Sequence, residues 1–324
     1  MRILVTGGAG FIGSHYVRTV LSGGYPAFAG ASVTVLDKLS DGGNLANLDP
    51  VSADSGLTFV HGDICDTALL AELLPGHDLV LNFAAETHVD RSITSPASFM
   101  ATNVVGVQTL VEACRATSVR RIVQISTDEV YGSIETGSWS EAAALRPTSP
   151  YAASKAGGDM IALAYHRTYG LDVVVTRSCN TYGPYQFSEK LIPLFVTRLL
   201  DGLPVPLYGD GENVREWVHV EDHCRGVQLA AERGSAGSIY HVGGNASLSN
   251  NELTGILLAD CGASPDLVKY VADRSGHDRR YSLDDSALRR LGYSPEIPFR
   301  TGLAATVSWY AANRSWWTAG SADR

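Results

Sequence analysis

Two short stretches carry side chains whose types and spacing allow chemistry. RIVQISTDEVYG (121–132) reads as a buried strand that ends on Thr127, Asp128 and Glu129. YAASK (151–155) puts Tyr151 and Lys155 at i and i+4, on one face of a helix. A phenol has a pKa of about 10 in water, and a nearby ammonium favours its phenolate. Tyr151 then becomes a base for a substrate hydroxyl, with Thr127 hydrogen-bonded to the same oxygen. Asp128 and Glu129 are an adjacent acid pair. Most such pairs are only charged strand ends. In a shared cleft, one protonated and one ionised carboxyl serve as general acid and general base, each role typically contributing about 10²–10⁴ in rate. Simple alcohol oxidation needs no such pair, whereas carbon–proton abstraction with loss of water does.

The first half of the chain reads as the scaffold for these groups. Arg2–Thr6 is a short apolar strand, followed by Gly7, Gly10 and Gly13 in a GxxGxxG spacing and a helix from about Phe11 to Leu21. Glycines there permit a tight turn and close approach of a pyrophosphate, which the helix N-terminus then binds. The spacing departs from the GxGxxG form, and glycine-rich turns are common. Its weight comes from context, with a strand before it and a helix after it. The second strand, Ser32–Leu36, ends in Asp37, a carboxylate able to accept both ribose hydroxyls of an adenosine, which favours NAD over NADP. Lys38 follows it and weakens that preference slightly. Ser22–Ala31 reads as a surface insertion. Leu57–His61 and Leu79–Phe83 are the third and fourth strands, with Asp63 after the first and the small Ala84 and Ala85 after the second. Arg121–Ser126 is the fifth strand, so the Thr-Asp-Glu triplet lies just beyond its carboxyl end, where ligands bind in open α/β sheets. Ser149 and Pro150 read as N-cap and first residue of a helix running to about Tyr169, and Asp172–Arg177 is the sixth strand. Strands alternating with helices predict a Rossmann-like, doubly wound parallel sheet. With oxidised nicotinamide in such a site, its positive charge also favours the Tyr151 phenolate.

The second half reads as a smaller mixed α/β lobe whose topology periodicity does not settle. Asn180–Pro193 is loop-rich. Short strands are expected at 206–208 and 238–242, and helices near 191–200, 221–233 and 250–261. Lys190, Arg215 and Arg274 are scattered cations; such residues are more often surface charges, but three in loop-rich segments can clamp a diphosphate. Pro193 suits the first turn of a helix that adds its N–H groups. His219 and His223 have a metal-like i,i+4 spacing but no evident third ligand, so no metal is expected. Met100 and Trp316–Trp317 read as packing or surface residues.

Composition agrees with an enzyme of about two lobes. The 324 residues carry 25 basic and 34 acidic side chains, a net charge of −9, which argues against a general nucleic-acid or membrane-surface binder. The five cysteines are scattered and odd in number, without a CxxC spacing. This points to a reducing cytoplasm rather than a disulfide framework or zinc site. The N-terminus shows no signal-peptide pattern, and no apolar run is long enough to span a membrane.

The chain resembles the extended short-chain dehydrogenases/reductases and, within them, the dTDP-glucose 4,6-dehydratases from end to end. The resemblance is carried by VTGGAGFIGSH (5–15), LNFAAETHVDRSI (81–93), ISTDEVYG (125–132), YAASK (151–155), NTYGPYQFSEKLIP (180–193), NVREWVHVEDH (213–223) and ADRSGHDRRYSLD (272–284). The Thr-Asp-Glu triplet is the most specific of these. Ser188 stands where the family usually has proline, and HVGGNAS (241–247) lacks some usual polar residues; neither touches the catalytic set.

The resemblance implies that Tyr151 takes the C4 hydroxyl proton while NAD accepts the C4 hydride, that Glu129 removes the C5 proton and Asp128 protonates the departing C6 hydroxyl, and that hydride returns to C6. It implies a cofactor site of Gly7, Gly10, Phe11, Ile12, Gly13, Asp37, Lys38, Leu39, Ser40, Asp63, Ile64, Phe83, Ala84, Ala85, Thr102, Tyr151 and Lys155. For the nucleotide sugar it implies contacts from Thr87, Thr127, Asp128, Glu129, Asn180, Lys190, Leu191, Pro206, Tyr208, Arg215, Asn250, Arg274 and His277. Residues 1–178 would be the NAD-binding domain and 179–324 mainly the sugar-binding lobe, with about 214–240 returning to the first. A homodimer packing helices 99–116 and 151–169 is also implied. A nucleotide-sugar 4-epimerase or decarboxylase would share Tyr151 and Lys155. A non-catalytic NAD sensor would commonly lack them.

Overall fold

The computed structural model of the chain describes residues 1–318. Its centre is a seven-stranded sheet built from β1 (Arg2–Thr6), β2 (Ser32–Asp37), β3 (Leu57–His61), β4 (Leu79–Asn82), β5 (Arg121–Thr127), β6 (Val173–Ser178) and a later strand, Ile239–Val242, in the order β3-β2-β1-β4-β5-β6 and then that strand. Every neighbouring pair is parallel. A parallel sheet covered on both faces needs nearly continuous apolar strands; β6 accordingly is buried at all six positions. Alternate residues feed two cores. Ile3, Val5 and Val123 join Tyr16 and Val17 of the first helix on one face, and Leu4, Val80 and Ile122 join Leu110 and Leu163 on the other.

The remaining strands are β7 (Asn180–Tyr182), β8 (Val205–Tyr208), β9 (Val214–His219), β10 (the Ile239–Val242 strand of the main sheet), β11 (Ala246–Ser249) and β12 (Val268–Val271). β11, β9 and β7 form a small mixed sheet, and β8 pairs with β12. β7 lies in the stretch expected to be loop, and β9, β11 and β12 also go beyond the expected strands. Tyr182, Phe195, Trp217, Leu253, Leu257, Leu303 and Tyr310 make a separate core there. Between β9 and β10 the helix Val220–Arg233 crosses back and buries Val220 and Val227 against the main sheet.

Two features differ from expectation. Ser22–Ala31 is more than a surface insertion, because Tyr25 and Phe28 are buried in the main core. The helix expected over 99–116 is broken in character. An α-turn at Pro96–Met100 opens into a π-turn over Ala101–Gly106 before α-helix resumes at Val107–Thr117. The Trp316 indole donates to Asn47 Oδ1 at 3.0 Å, tying the last described helix to the first half of the chain.

Candidate active site

The carboxyl ends of β1, β4, β5 and β6 open onto a cavity of about 680 Å³ that also reaches the smaller lobe. Gly7 forms its floor. The residue has φ +68°, and a Cβ there would lie 2.5 Å from the Ala84 nitrogen, so only glycine lets the loop lie this close to β4. The helix Phe11–Leu21 starts at Gly10 with no side chain capping it, and Gly10 to Gly13 line the cavity. Its first-turn N–H groups are the donors an anion requires. Asp37 accepts hydrogen bonds from the Ala9 and Leu39 N–H groups at 2.9 and 2.8 Å, which fixes its carboxylate at the cavity edge. Lys38 is not a solvated turn charge. Its ammonium donates to Thr102 Oγ1 at 3.0 Å and lies 3.1 Å from Glu86 and 3.7 Å from Asp63.

The Thr127–Asp128–Glu129 triplet is placed by the end of β5. Thr127 is the last strand residue and caps a 3₁₀ turn over Asp128–Tyr131, its Oγ1 accepting the Glu129 N–H at 3.2 Å. Its hydroxyl donates to Asp128 Oδ1 at 3.2 Å. Asp128 is 2% exposed, and its Oδ2 has no hydrogen-bond partner among the described residues. Burial, then the neighbouring Glu129 and Glu216, push its proton affinity well above that of an ordinary carboxyl, and Arg215 with the Thr127 hydroxyl offsets only part of this. Burial also raises Glu129, but Arg274, Arg215 and Lys190 pull it back. The two acids therefore sit in different fields. Two carboxyls against one cation favour the acid form at Asp128, and three cations favour the carboxylate at Glu129.

Ser149 caps the helix Pro150–Tyr169 by accepting the Ala152 N–H at 3.1 Å, and Tyr151 and Lys155 both face the cavity. The Lys155 ammonium donates to the Ile125 carbonyl at 2.6 Å, and burial lowers its pKa to about 8. The expectation of a phenol already favoured as phenolate does not hold for these side chains alone. Burial first, then Glu129, raises the Tyr151 pKa, and a hydrogen bond with Thr127 only partly offsets this.

The scattered cations converge. Lys190 donates to the Thr87 carbonyl at 2.6 Å and stands at the N-cap of Leu191–Leu200, whose first turn holds Pro193. Arg215 donates to the Asp278 carbonyl at 2.8 Å and lies over the Tyr281 ring. Arg274 is 3.6 Å from Asp90, which also accepts the Tyr208 hydroxyl at 3.1 Å. Asn180 Oδ1, Asn250 Oδ1 and Arg274 Nε are buried without a partner among the described residues, so polar atoms at the cavity wall stay unspent. Leu191, Pro206 and His277 also line it, as do Phe11, Ile12, Ser40, Ile64, Phe83, Ala85 and Thr102. Leu39 does not. It has φ +53° and an exposed side chain, and contributes its backbone N–H to Asp37.

Sequence reasoning missed Glu86, Arg91, Glu189 and Trp217 in the lining. Arg91 bonds Glu189 at 2.7 Å across 98 residues, and also pairs with Asp41. LNFAAETHVDRSI contained the first two, but no local pattern marks a charge that meets its partner so far along the chain. His219 and His223 are otherwise employed. His219 caps its own helix, and His223 bonds Thr181 at 2.7 Å.

A nucleotide-sugar-modifying short-chain dehydrogenase/reductase is the class this sheet, glycine loop and Tyr/Lys helix define. Residues 4–306 match the family model described as GDP-mannose 4,6 dehydratase. The chain is 59% identical over 320 residues to the dTDP-glucose 4,6-dehydratase of Actinoplanes sp., covering 98% of this chain and 100% of that one. A crystal structure of DesIV, a dTDP-glucose 4,6-dehydratase from Streptomyces venezuelae with NAD bound, superposes with a TM-score of 0.98 at 61% identity, covering 99% of this chain and 100% of that chain. The dTDP-glucose 4,6-dehydratase of Bacillus anthracis in complex with NAD gives 0.91 at 42% identity, with 99% of both chains covered. The chain belongs to the dTDP-glucose 4,6-dehydratases of the extended short-chain dehydrogenase/reductase superfamily.

Proposed function

We propose that this protein converts dTDP-glucose to dTDP-4-keto-6-deoxyglucose and water, in deoxysugar biosynthesis. The observation that carries the reading is the buried pair Asp128–Glu129, one acid held beside other carboxyls and the other faced by three cations, next to Tyr151. The uncapped helix start at Gly10 and the Asp37 carboxylate fit a dinucleotide whose pyrophosphate and ribose they would hold. NAD, when bound, supplies the hydride acceptor at C4 and the donor back to C6, with no net consumption. Tyr151 takes the C4 hydroxyl proton while Thr127 holds the same oxygen. The new C4 ketone acidifies the C5 proton, which Glu129 removes. Asp128 protonates the C6 oxygen as it leaves, and Glu129 returns its proton to C5. Lys190, Arg215 and Arg274 hold the diphosphate, with Asn180, Asn250, Tyr208 and His277 around the nucleotide sugar.

On this reading residues 1–178 hold NAD and 179–324 mainly the sugar nucleotide, the segment near 214–240 returning to the first domain. A cytoplasmic homodimer is part of the proposal. Val105, Met160 and Tyr169 are 54%, 46% and 57% exposed on the helices expected to pair. Incubation with dTDP-glucose tests the activity. The expected result is the alkaline absorbance of a 4-keto sugar and a 6-deoxy product; a C4 epimer in its place would mark an epimerase. Glu129→Gln is expected to keep C4 oxidation and lose elimination, with kcat down by about 10²–10⁴. Normal yields of 6-deoxy product from that variant would remove Glu129 from its role.

A further inference from the structure

The turn that carries the acid pair is a short 3₁₀ turn, a type with poorer hydrogen-bond geometry than an α-helix. Asp128 and Glu129 are its first two residues and Tyr131 its last. Thr127, at the end of β5, holds its start. At its other end Gly132 has φ +75° and the chain turns away. The Gly132 N–H donates to the Glu129 carbonyl at 3.2 Å, and the Arg146 N–H to the Val130 carbonyl at 3.0 Å. Those backbone bonds give the turn its shape. What fixes its end against the sheet is a polar side chain, the fully buried phenol of Tyr131.

Ser126 of β5, Arg177 of β6 and His241 of β10 are direct register partners across the main sheet, one residue before the strand end that carries Thr127. All three are buried, and a buried polar row needs partners. Arg177 Nε donates to Asp159 of the helix Pro150–Tyr169 at 2.9 Å, and its Nη1 donates to the Tyr131 hydroxyl at 2.6 Å. A guanidinium has no acceptor. The phenol oxygen therefore accepts from Arg177, and its own proton points to His241 Nε2 at 2.7 Å. The other ring nitrogen, Nδ1, then carries hydrogen and donates to the Asp284 carbonyl at 2.9 Å. Burial lowers the His241 pKa to about 4, in keeping with the neutral ring that these bonds require. Asp159 follows Tyr151 and Lys155 at i+8 and i+4, on their face of the helix. One guanidinium thus reaches both the helix of Tyr151 and the turn of the acid pair.

We propose that Tyr131 is a positioning residue for the elimination step: its hydroxyl, held between Arg177 and His241, fixes the turn of Asp128 and Glu129 against the helix of Tyr151. The proposal rests on the acid and base roles assigned above. Loss of the hydroxyl frees the end of the turn, while the Asp159–Arg177 pair continues to hold the helix. C4 oxidation, served by Tyr151, then survives better than loss of water, served by the acid pair. A displacement of about 1 Å at a reacting centre is enough to cost about 10²-fold in rate.

Tyr131→Phe keeps the ring stacked on Trp139, 5.9 Å between centroids, and removes only the hydroxyl. With NAD-loaded enzyme in excess over dTDP-glucose, the sugars are quenched at intervals and resolved by mass. The 6-deoxy product is expected to form about ten- to a hundredfold more slowly than in the parent. At equal substrate consumption, the ratio of 4-keto sugar still bearing its C6 hydroxyl to 6-deoxy product should rise at least about tenfold. Loss of any buried hydroxyl lowers the melting temperature, so stability is not the readout. A purely structural Tyr131 would slow oxidation and elimination together and leave the ratio unchanged; that result, or an unchanged rate, overturns the proposal. His241→Asn keeps Tyr131 and removes one of its two partners. It should raise the same ratio by a smaller factor, and it decides the matter if Tyr131→Phe does not fold. Glu129→Gln separates failure of the underlying reading. If it does not raise the ratio, elimination does not depend on Glu129 and the positioning role falls with it. If it raises the ratio while Tyr131→Phe and His241→Asn do not, the positioning role alone is wrong.

Discussion

On the proposed roles, Lys155 and Glu129 are expected to set opposite limits on the working pH. Burial brings the Lys155 ammonium down to about 8, so the charge that supports a Tyr151 phenolate is present below that pH and lost as pH rises through it. On the proposed reading Glu129 works as the carboxylate. Its pKa is raised, burial being the largest cause, so its base form is lost as pH falls while ordinary carboxyls are still ionised. The kcat/KM profile is expected to be bell-shaped, with an alkaline limb near pH 8 that moves upward in Lys155→Arg. An alkaline limb unmoved by that change would belong to another group. Asp128 shows the thermodynamic side of the same burial. A carboxyl with a folded-state pKa above its unfolded value weakens the fold where pH exceeds both, and that cost fades as pH falls to where the unfolded chain is also protonated. Asp128→Asn still accepts the Thr127 hydroxyl and removes the cost of protonating this carboxyl on burial. It should unfold at higher temperature than the parent at neutral pH, with the gain shrinking in acid, while losing activity. Calorimetry at two pH values reads this directly.

Among the elements, the helix that carries Tyr151 and Lys155 packs closely on the π-turn at Ala101–Gly106. Asn103 there bonds both backbone groups of Glu86 and the Ser154 hydroxyl at 2.9 Å each, so it positions the residue next to Lys155. The approach is possible because Gly158 faces it; a Cβ at 158 would stand 2.4 Å from the Asn103 carbonyl oxygen. Gly158→Ala is expected to cost about 1–3 kcal/mol in unfolding free energy and to lower kcat by shifting Tyr151 and Lys155. Gly255 offers the contrast, since a Cβ at that position would meet nothing within 4 Å. Gly255→Ala, in an exposed helical position, should stabilise by about 0.5–1 kcal/mol with activity unchanged. Equal effects of the two substitutions would mean that the helix and the π-turn are not in rigid contact. Deeper in the same helix, Asp159 is fully buried and bonds Ser126 and Arg177 at 2.9 Å each. This ties the helix to β5 one residue before Thr127.

At the scale of the whole molecule, the exposed apolar side chains on the helices of the proposed dimer face can be tested directly. Val105→Glu combined with Met160→Glu puts a carboxylate on each helix of the proposed dimer face. Sedimentation is expected to show a monomer where the parent is a dimer; an unchanged dimer would place the interface elsewhere. No helix among the described residues is long and apolar enough to cross a membrane.

The glycine loop, Asp37, the end of β5 and the Tyr/Lys helix were legible in the linear chain because each is a local pattern. Hydrophobic continuity marks a buried parallel strand, Ser-Pro marks a helix start, and a four-residue interval fixes a shared helix face. The acid pair could be read as chemistry for the same reason, being adjacent in sequence and anchored to a strand end. The convergence of Lys190, Arg215 and Arg274 was not local, since 84 positions separate the first from the last and the short strands β7, β9 and β11 that carry the chain around the cavity alternate too weakly to announce themselves. Protonation was less legible still. Residue type assigns every carboxyl the same ordinary affinity, and packing then set Asp128 among carboxyls with one cation in reach while surrounding Glu129 with three. Covalent sequence sets which groups can exchange a proton, whereas desolvation and distance, which exist only once the lobes have closed on each other, set which of them holds it.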